Sequence, residues 1–141
     1  MADVSEIQDY AAIGNCHTVA LISKTGSIDW WCPMRFDHSS VFAAILDARR
    51  GGSFQICPTG SFEVERRYLG PTQVLETVFH GQRGRLRVTD WMPLTTEDSK
   101  VPGLRSPHAI QRRVECLEGE VEVEFRFAPR FDYGRVSPSW R

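Results

Sequence analysis

Asp29, Asp37 and Asp90 are the residues best placed by type and setting to do chemistry. Each sits beside an aromatic ring: Trp30, Phe36 and Trp91. Glycoside hydrolysis uses two carboxyl groups across a sugar ring, one as acid and the other as base or nucleophile. Trp31 adds a second flat ring beside Trp30, and Arg35 lies between the first two acids. Asp132, Tyr133 and Arg135 repeat the mixture near the end of the chain. Each of these residues also has a plain structural role. The aspartates can cap turns or pair with Arg35, Arg85 or Arg87, and the tryptophans can fill a core.

Other chemistries find less support. His17, His38, His80 and His108 are scattered with no ligand spacing between them, so no metal site is expected. There is no G-x-S-x-G nucleophile motif. Gly51-Gly52 follows a helical pattern instead of opening one, so it reads as a stop signal and not as a phosphate cradle. Cys16, Cys32, Cys57 and Cys116 form no C-x-x-C pair and read as reduced thiols. No cofactor is expected.

The elements that must position these residues are mostly strands. The organising stretch is Ile28–Asp37, which joins a hairpin to the one expected helix. Residues 16–23 and 28–32 form that hairpin, with Gly26 in its turn and Pro33 ending it. Val41, Phe42, Ile45 and Leu46 fall on one face of a short helix near residues 40–48. Strands follow over 53–57, 61–69, 73–80, 85–91, 109–117 and 120–128, the last two as a hairpin about Glu118-Gly119. In the final strand Val121, Val123, Phe125 and Phe127 share one parity, the mark of a half-buried strand. Residues 93–108 read as a surface loop. The fold class is therefore mainly β, an antiparallel β-sandwich with one short helix.

Length and composition set the bounds. The 141 residues make one domain, 1–141. A formal net charge of −1 gives no reason to expect nucleic acid or an anionic membrane as a partner. The acidic start is unlike a signal peptide, and no apolar run approaches a membrane span, so the cytoplasm is the expected compartment.

The order and spacing of several motifs carry a resemblance. They are Ile13–Ile22, Gly26–Phe42, Arg67-Tyr68, Val74–Thr77, Val88–Pro93, Arg112–Glu115 and Pro129–Arg135. Together they resemble the amino-terminal domain of bacterial glycoside hydrolase family 15, the glucoamylase-like and trehalase-like proteins. Asn15 and Cys16 depart from an Asp-Gly common in that family, and Trp31 stands where an aliphatic residue is usual. The resemblance implies a supersandwich-like domain followed by a catalytic (α/α)6 barrel, with two glutamates hydrolysing α-glucosidic bonds by inversion. No residue of this chain corresponds to either glutamate. The chain is thus expected to be non-catalytic and short of the full sandwich, with the barrel of its parent chain as partner. Asp29, Trp30, Trp31, Arg35, Phe36, Asp37, Asp90, Trp91, Asp132, Tyr133 and Arg135 are its expected substrate-rim or domain-interface residues. The parent would act on trehalose or short α-glucans. Alternatives are a stand-alone module that binds α-glucoside sugars, or an inert fragment whose open strand edges self-associate.

Overall fold

The computed structural model describes residues 5–94 and 108–139. Most of the expected 93–108 loop lies outside the described residues. The strands are β1 (Ala11–Gly14), β2 (Val19–Ile22), β3 (Ser27–Trp31), β4 (Ser53–Pro58), β5 (Phe62–Tyr68), β6 (Leu75–Gly81), β7 (Gly84–Trp91), β8 (Gln111–Gly119) and β9 (Val123–Ala128). Sheet A has the order β1-β2-β3-β4-β9 and sheet B the order β5-β6-β7-β8. All pairings are antiparallel. The expected β-sandwich is the observed fold.

Two clusters form the core between the sheets. One gathers Ile13, Ile22, Ile28, Phe42, Leu75 and Met92, with Trp31 and Phe54 packed against it. The other gathers Ile56, Phe79, Leu86 and Val88. The two inner faces supply these side chains by simple alternation, as when Leu86, Val88 and Asp90 on β7 are buried while their neighbours are not. Asn15 sets the β1–β2 connection. Its Oδ1 accepts from the N–H groups of His17 and Thr18 at 3.1 and 3.0 Å, and Cys16 takes φ 69°.

Sheet A departs from alternation at Asp29. Leu21 pairs with Trp30 and Ile22 with Ile28, so Asp29 is an extra residue on β3. This bulge lets Ile28 and Trp31 both serve the core, while Trp30 turns outward.

Two expected features are corrected. Residues 40–48 do not form a helix. A bridge between Trp31 and Phe42 holds the start of the segment extended, and the carbonyls of Gly51 and Gly52 take the N–H groups of Ala43 and Ala44. Two successive turns replace the helix. Nor are β8 and β9 a hairpin: β8 pairs with β7 in sheet B and β9 pairs with β4 in sheet A. Gly119, at φ 67°, turns the chain from one sheet to the other.

Among the described residues, that crossover leaves one side of the sandwich open. Phe125 and Phe127 lie opposite Ile56 and Phe54 on the inner face of sheet A. They are nevertheless 66% and 46% exposed. Val114 of β8 pairs with buried Val88 and is 42% exposed. The half-buried strand expected at 120–128 has its apolar side facing inward, with Val121 packed against the core, Phe127 set edge-on to Phe42 and Phe54, and Phe125 largely exposed.

Candidate functional site

The end of the sandwich where β3 leaves, β4 enters and β9 leaves carries most of the candidate residues. The turn Phe131–Gly134 is tied onto the 38–41 loop there. The Tyr133 N–H donates to Ser40 Oγ at 3.1 Å and its hydroxyl to the His38 carbonyl at 3.2 Å. The Asp132 N–H donates to the Ser40 carbonyl, and Ser39 Oγ donates to the Asp132 carboxylate at 3.2 Å. Trp30, turned outward by the bulge, meets the Tyr133 ring at a 6.1 Å centroid distance and a 40° tilt.

The backbone of this turn is unusual. Asp132 and Tyr133 take φ 51° and 55°, followed by Gly134 at 82°. Left-handed conformations cost an ordinary residue roughly 1–2 kcal/mol each. The hydrogen bonds to Ser40 and His38, together with the Trp30 contact, hold two such residues in sequence. Residues over-determined in this way concentrate at sites that must keep a fixed shape.

Arg35, Phe36 and Asp37 form the exposed tip of the same end. Arg35 holds Asp37 through Nη2 and Nε, both at 2.9 Å. The Phe36 ring stands 67% exposed. Arg135 reaches Asp132 at 3.6 Å. The structure therefore brings Trp30, Arg35, Phe36, Asp37, Asp132, Tyr133 and Arg135 to one lip.

The remaining candidates lie elsewhere. Trp31 packs inward against Phe42, with its buried indole N–H unpartnered. Asp29 faces a recess on the outer side of sheet A, where Tyr10 Oη donates to its Oδ2 at 2.9 Å and Ser27 Oγ to its Oδ1. Burial, and then the Asp29 hydrogen bond, push the Tyr10 hydroxyl pKa up to about 12. Asp90 is wholly buried between the sheets, paired with Arg112 at 2.7 Å. Burial pushes its carboxyl upward against the pull of Arg112. Trp91 is half-buried on the opposite side of β7. Among the described residues no group of His, Cys, Asp and Glu is arranged to hold a metal.

Sequence reading missed Tyr10, Ser27, Ser39, Ser40 and Arg112, each of which holds a candidate aspartate or the lip itself. The arginines offered as aspartate partners from the sequence were Arg35, Arg85 and Arg87; Arg35 does hold Asp37, but the partner of Asp90 is Arg112.

A two-sheet antiparallel sandwich with its loops gathered into an aromatic and charged lip defines a β-sandwich module of the kind expected from the sequence. A family model described as trehalase-like, N-terminal, matches residues 2–140, and the chain belongs to that family. It is 39% identical to a trehalase of Mycolicibacterium smegmatis, over 95% of this chain and 22% of that protein. It is 37% identical to a trehalase of Mycobacterium tuberculosis, over 95% of this chain and 21% of that protein. A trehalase of Thermoplasma volcanium is 36% identical, over 94% of this chain and 21% of that protein. The chain thus spans about a fifth of the length of these curated relatives. No solved structure matches it significantly.

Proposed function

We propose that this chain is the non-catalytic N-terminal part of a trehalase-type glucoside hydrolase, packed against a catalytic region supplied by the longer parent chain. The observation that carries the reading is the open side between β8 and β9. On the inner faces, where both sheets end in edge strands, Phe125 is 66% and Val114 42% exposed. Apolar surface of this kind gains roughly 25 cal/mol per Å² when covered. Further strands of the parent protein would complete the sandwich there. The names of the relatives support trehalose as the substrate over longer α-glucans. The lip, with Phe36 exposed and Tyr133 clamped, is the surface that would shape the rim of the sugar site. Four free cysteines suit a reducing compartment such as the cytoplasm. No helix among the described residues is long and apolar enough to cross a membrane.

The isolated chain is expected to self-associate through the open side as its concentration rises, and Phe125→Glu to return it to a monomer in analytical ultracentrifugation. A wild-type chain that stays monomeric at high concentration overturns the open-side argument. In the long protein that carries this domain, Tyr133→Ala is expected to lower kcat/KM for trehalose by about tenfold or more, through misplacement of the rim. Its melting temperature should show the domain still folded. Unchanged kinetics would remove the lip from the rim.

A further inference from the structure

The arginines of this chain are mostly committed. Arg67, Arg83, Arg85, Arg87, Arg112 and Arg113, all on or beside sheet B, each hold a carboxylate. Arg49, Arg50, Arg66, Arg126 and Arg130 have no carboxylate partner among the described residues, and three of them, Arg49, Arg126 and Arg130, line one recess on the outer side of sheet A. Arg126 Nη2 donates to Gln55 Oε1 at 2.8 Å, and Arg130 Nη1 to the Pro129 carbonyl at 2.9 Å. Neither contact neutralises a guanidinium. The recess has a volume of about 380 Å³, within the roughly 300–1,000 Å³ usual for small-molecule sites.

The recess also contains Asp29, whose residue is only 9% exposed. Tyr10 and Ser27 donate to its two oxygens and fix the carboxylate in place. A carboxylate has about four acceptor positions, so each oxygen can take one more donor. The surroundings therefore make two demands on a ligand. Three arginines line the recess, and guanidinium groups favour an oxyanion through charge-assisted, geometrically defined bonds. The fixed carboxylate repels a bare anion and accepts from hydroxyl groups.

We propose that this recess binds a sugar or polyol bearing an oxyanion, phosphate or carboxylate, with the anion on Arg126 and Arg130 and a hydroxyl donated to Asp29. Arg49 closes the charged wall, and Ser53 and Gln55 supply neutral hydrogen-bonding groups on β4. The site is separate from the open side and from the lip, so it stands whether or not the trehalase reading does.

Calorimetric titration of the 141-residue chain tests it, with glucose 6-phosphate, glucuronate, inorganic phosphate and glucose as separate probes. Glucose 6-phosphate or glucuronate is expected to bind at least about tenfold more tightly than phosphate and than glucose, and the stronger of the two identifies the anion. Arg126→Gln with Arg130→Gln should weaken that binding by about tenfold or more, with the melting temperature confirming a folded chain. Three results would overturn the proposal: no binding of either charged sugar at about 10 mM, phosphate alone binding as tightly as glucose 6-phosphate, or full binding by the folded double variant.

Discussion

Arg112→Met is expected to destabilise the domain by about 3–5 kcal/mol, the usual cost of stripping one partner from a buried ion pair. Arg112 and Asp90 have side chains only 3% and 1% exposed. The guanidinium holds Asp90 through Nε at 2.7 Å and Nη2 at 3.2 Å. It also donates to the carbonyls of Phe54 and Gly26 at 2.8 Å each, and its Cζ lies 4.8 Å from the Phe54 ring centroid. One side chain on sheet B thus satisfies an acid on its own sheet and two backbone acceptors on the other. Methionine keeps much of the volume and none of the donors. Urea unfolding of wild type and variant gives the difference, and a loss below about 1 kcal/mol would show the pair to be dispensable.

The same variant has a signed pH dependence. Burial raises the Asp90 carboxyl pKa in the folded protein, and Arg112 opposes that rise. Without Arg112 the folded pKa climbs further above the unfolded one. A raised folded pKa means that the native state binds the proton more tightly. The associated stability is fully present below the unfolded pKa and is lost as pH rises through the folded pKa. The penalty of Arg112→Met should therefore be largest at neutral pH and shrink on acidification from the raised Asp90 pKa toward the ordinary carboxylate range. Asp90→Asn combined with Arg112→Met should flatten this trend, because the titrating group is then gone.

Asp90 also shows how much of the molecule could be read beforehand. Asp90 drew notice for its place beside Trp91; strand β7 alternates and puts it on the buried parity of Leu86 and Val88, yet its partner lies 22 positions away on another strand. Pairings at that distance leave no local mark. Alternation likewise identified the inward side of β9, but it reports which way a side chain points and not what covers it. Hence Phe125, on the inward parity of a strand expected to be half-buried, is 66% exposed. The same pattern cannot say which sheet a strand joins, so a glycine turn at 119 read as a hairpin when it is a crossover. Over 40–48, helical spacing of Val41, Phe42, Ile45 and Leu46 lost to a backbone bridge with Trp31. The lip was legible in part: Trp30, Arg35 and Asp37 are near neighbours, whereas the clamp by Tyr133 reaches back 95 positions to His38.

Gly26→Ala should cost at least about 3 kcal/mol, and the reason is separable from ordinary turn strain. Gly26 sits at φ 71°, where a residue with a Cβ is strained by roughly 1–2 kcal/mol. A Cβ there would also fall 2.3 Å from the Ile56 carbonyl oxygen and 3.0 Å from the Phe79 ring. Neither neighbour is a flexible tip, since the first is backbone and the second is fully buried core. Relief requires moving β4 away from the turn, which stretches the bond from the Ile56 N–H to the Gly26 carbonyl, now 3.2 Å. Gly60 is the control: it has φ 82° and nothing within 4 Å of a built Cβ. Gly60→Ala carries only the strain of its backbone, and the gap between the two variants measures the close packing at Gly26. Because Arg112 donates to the same Gly26 carbonyl, Gly26→Ala and Arg112→Met share a partner and should not add. Their double variant should lose less stability than the separate losses sum to. Strict additivity would show that the hairpin turn and the buried ion pair hold the two sheets together independently.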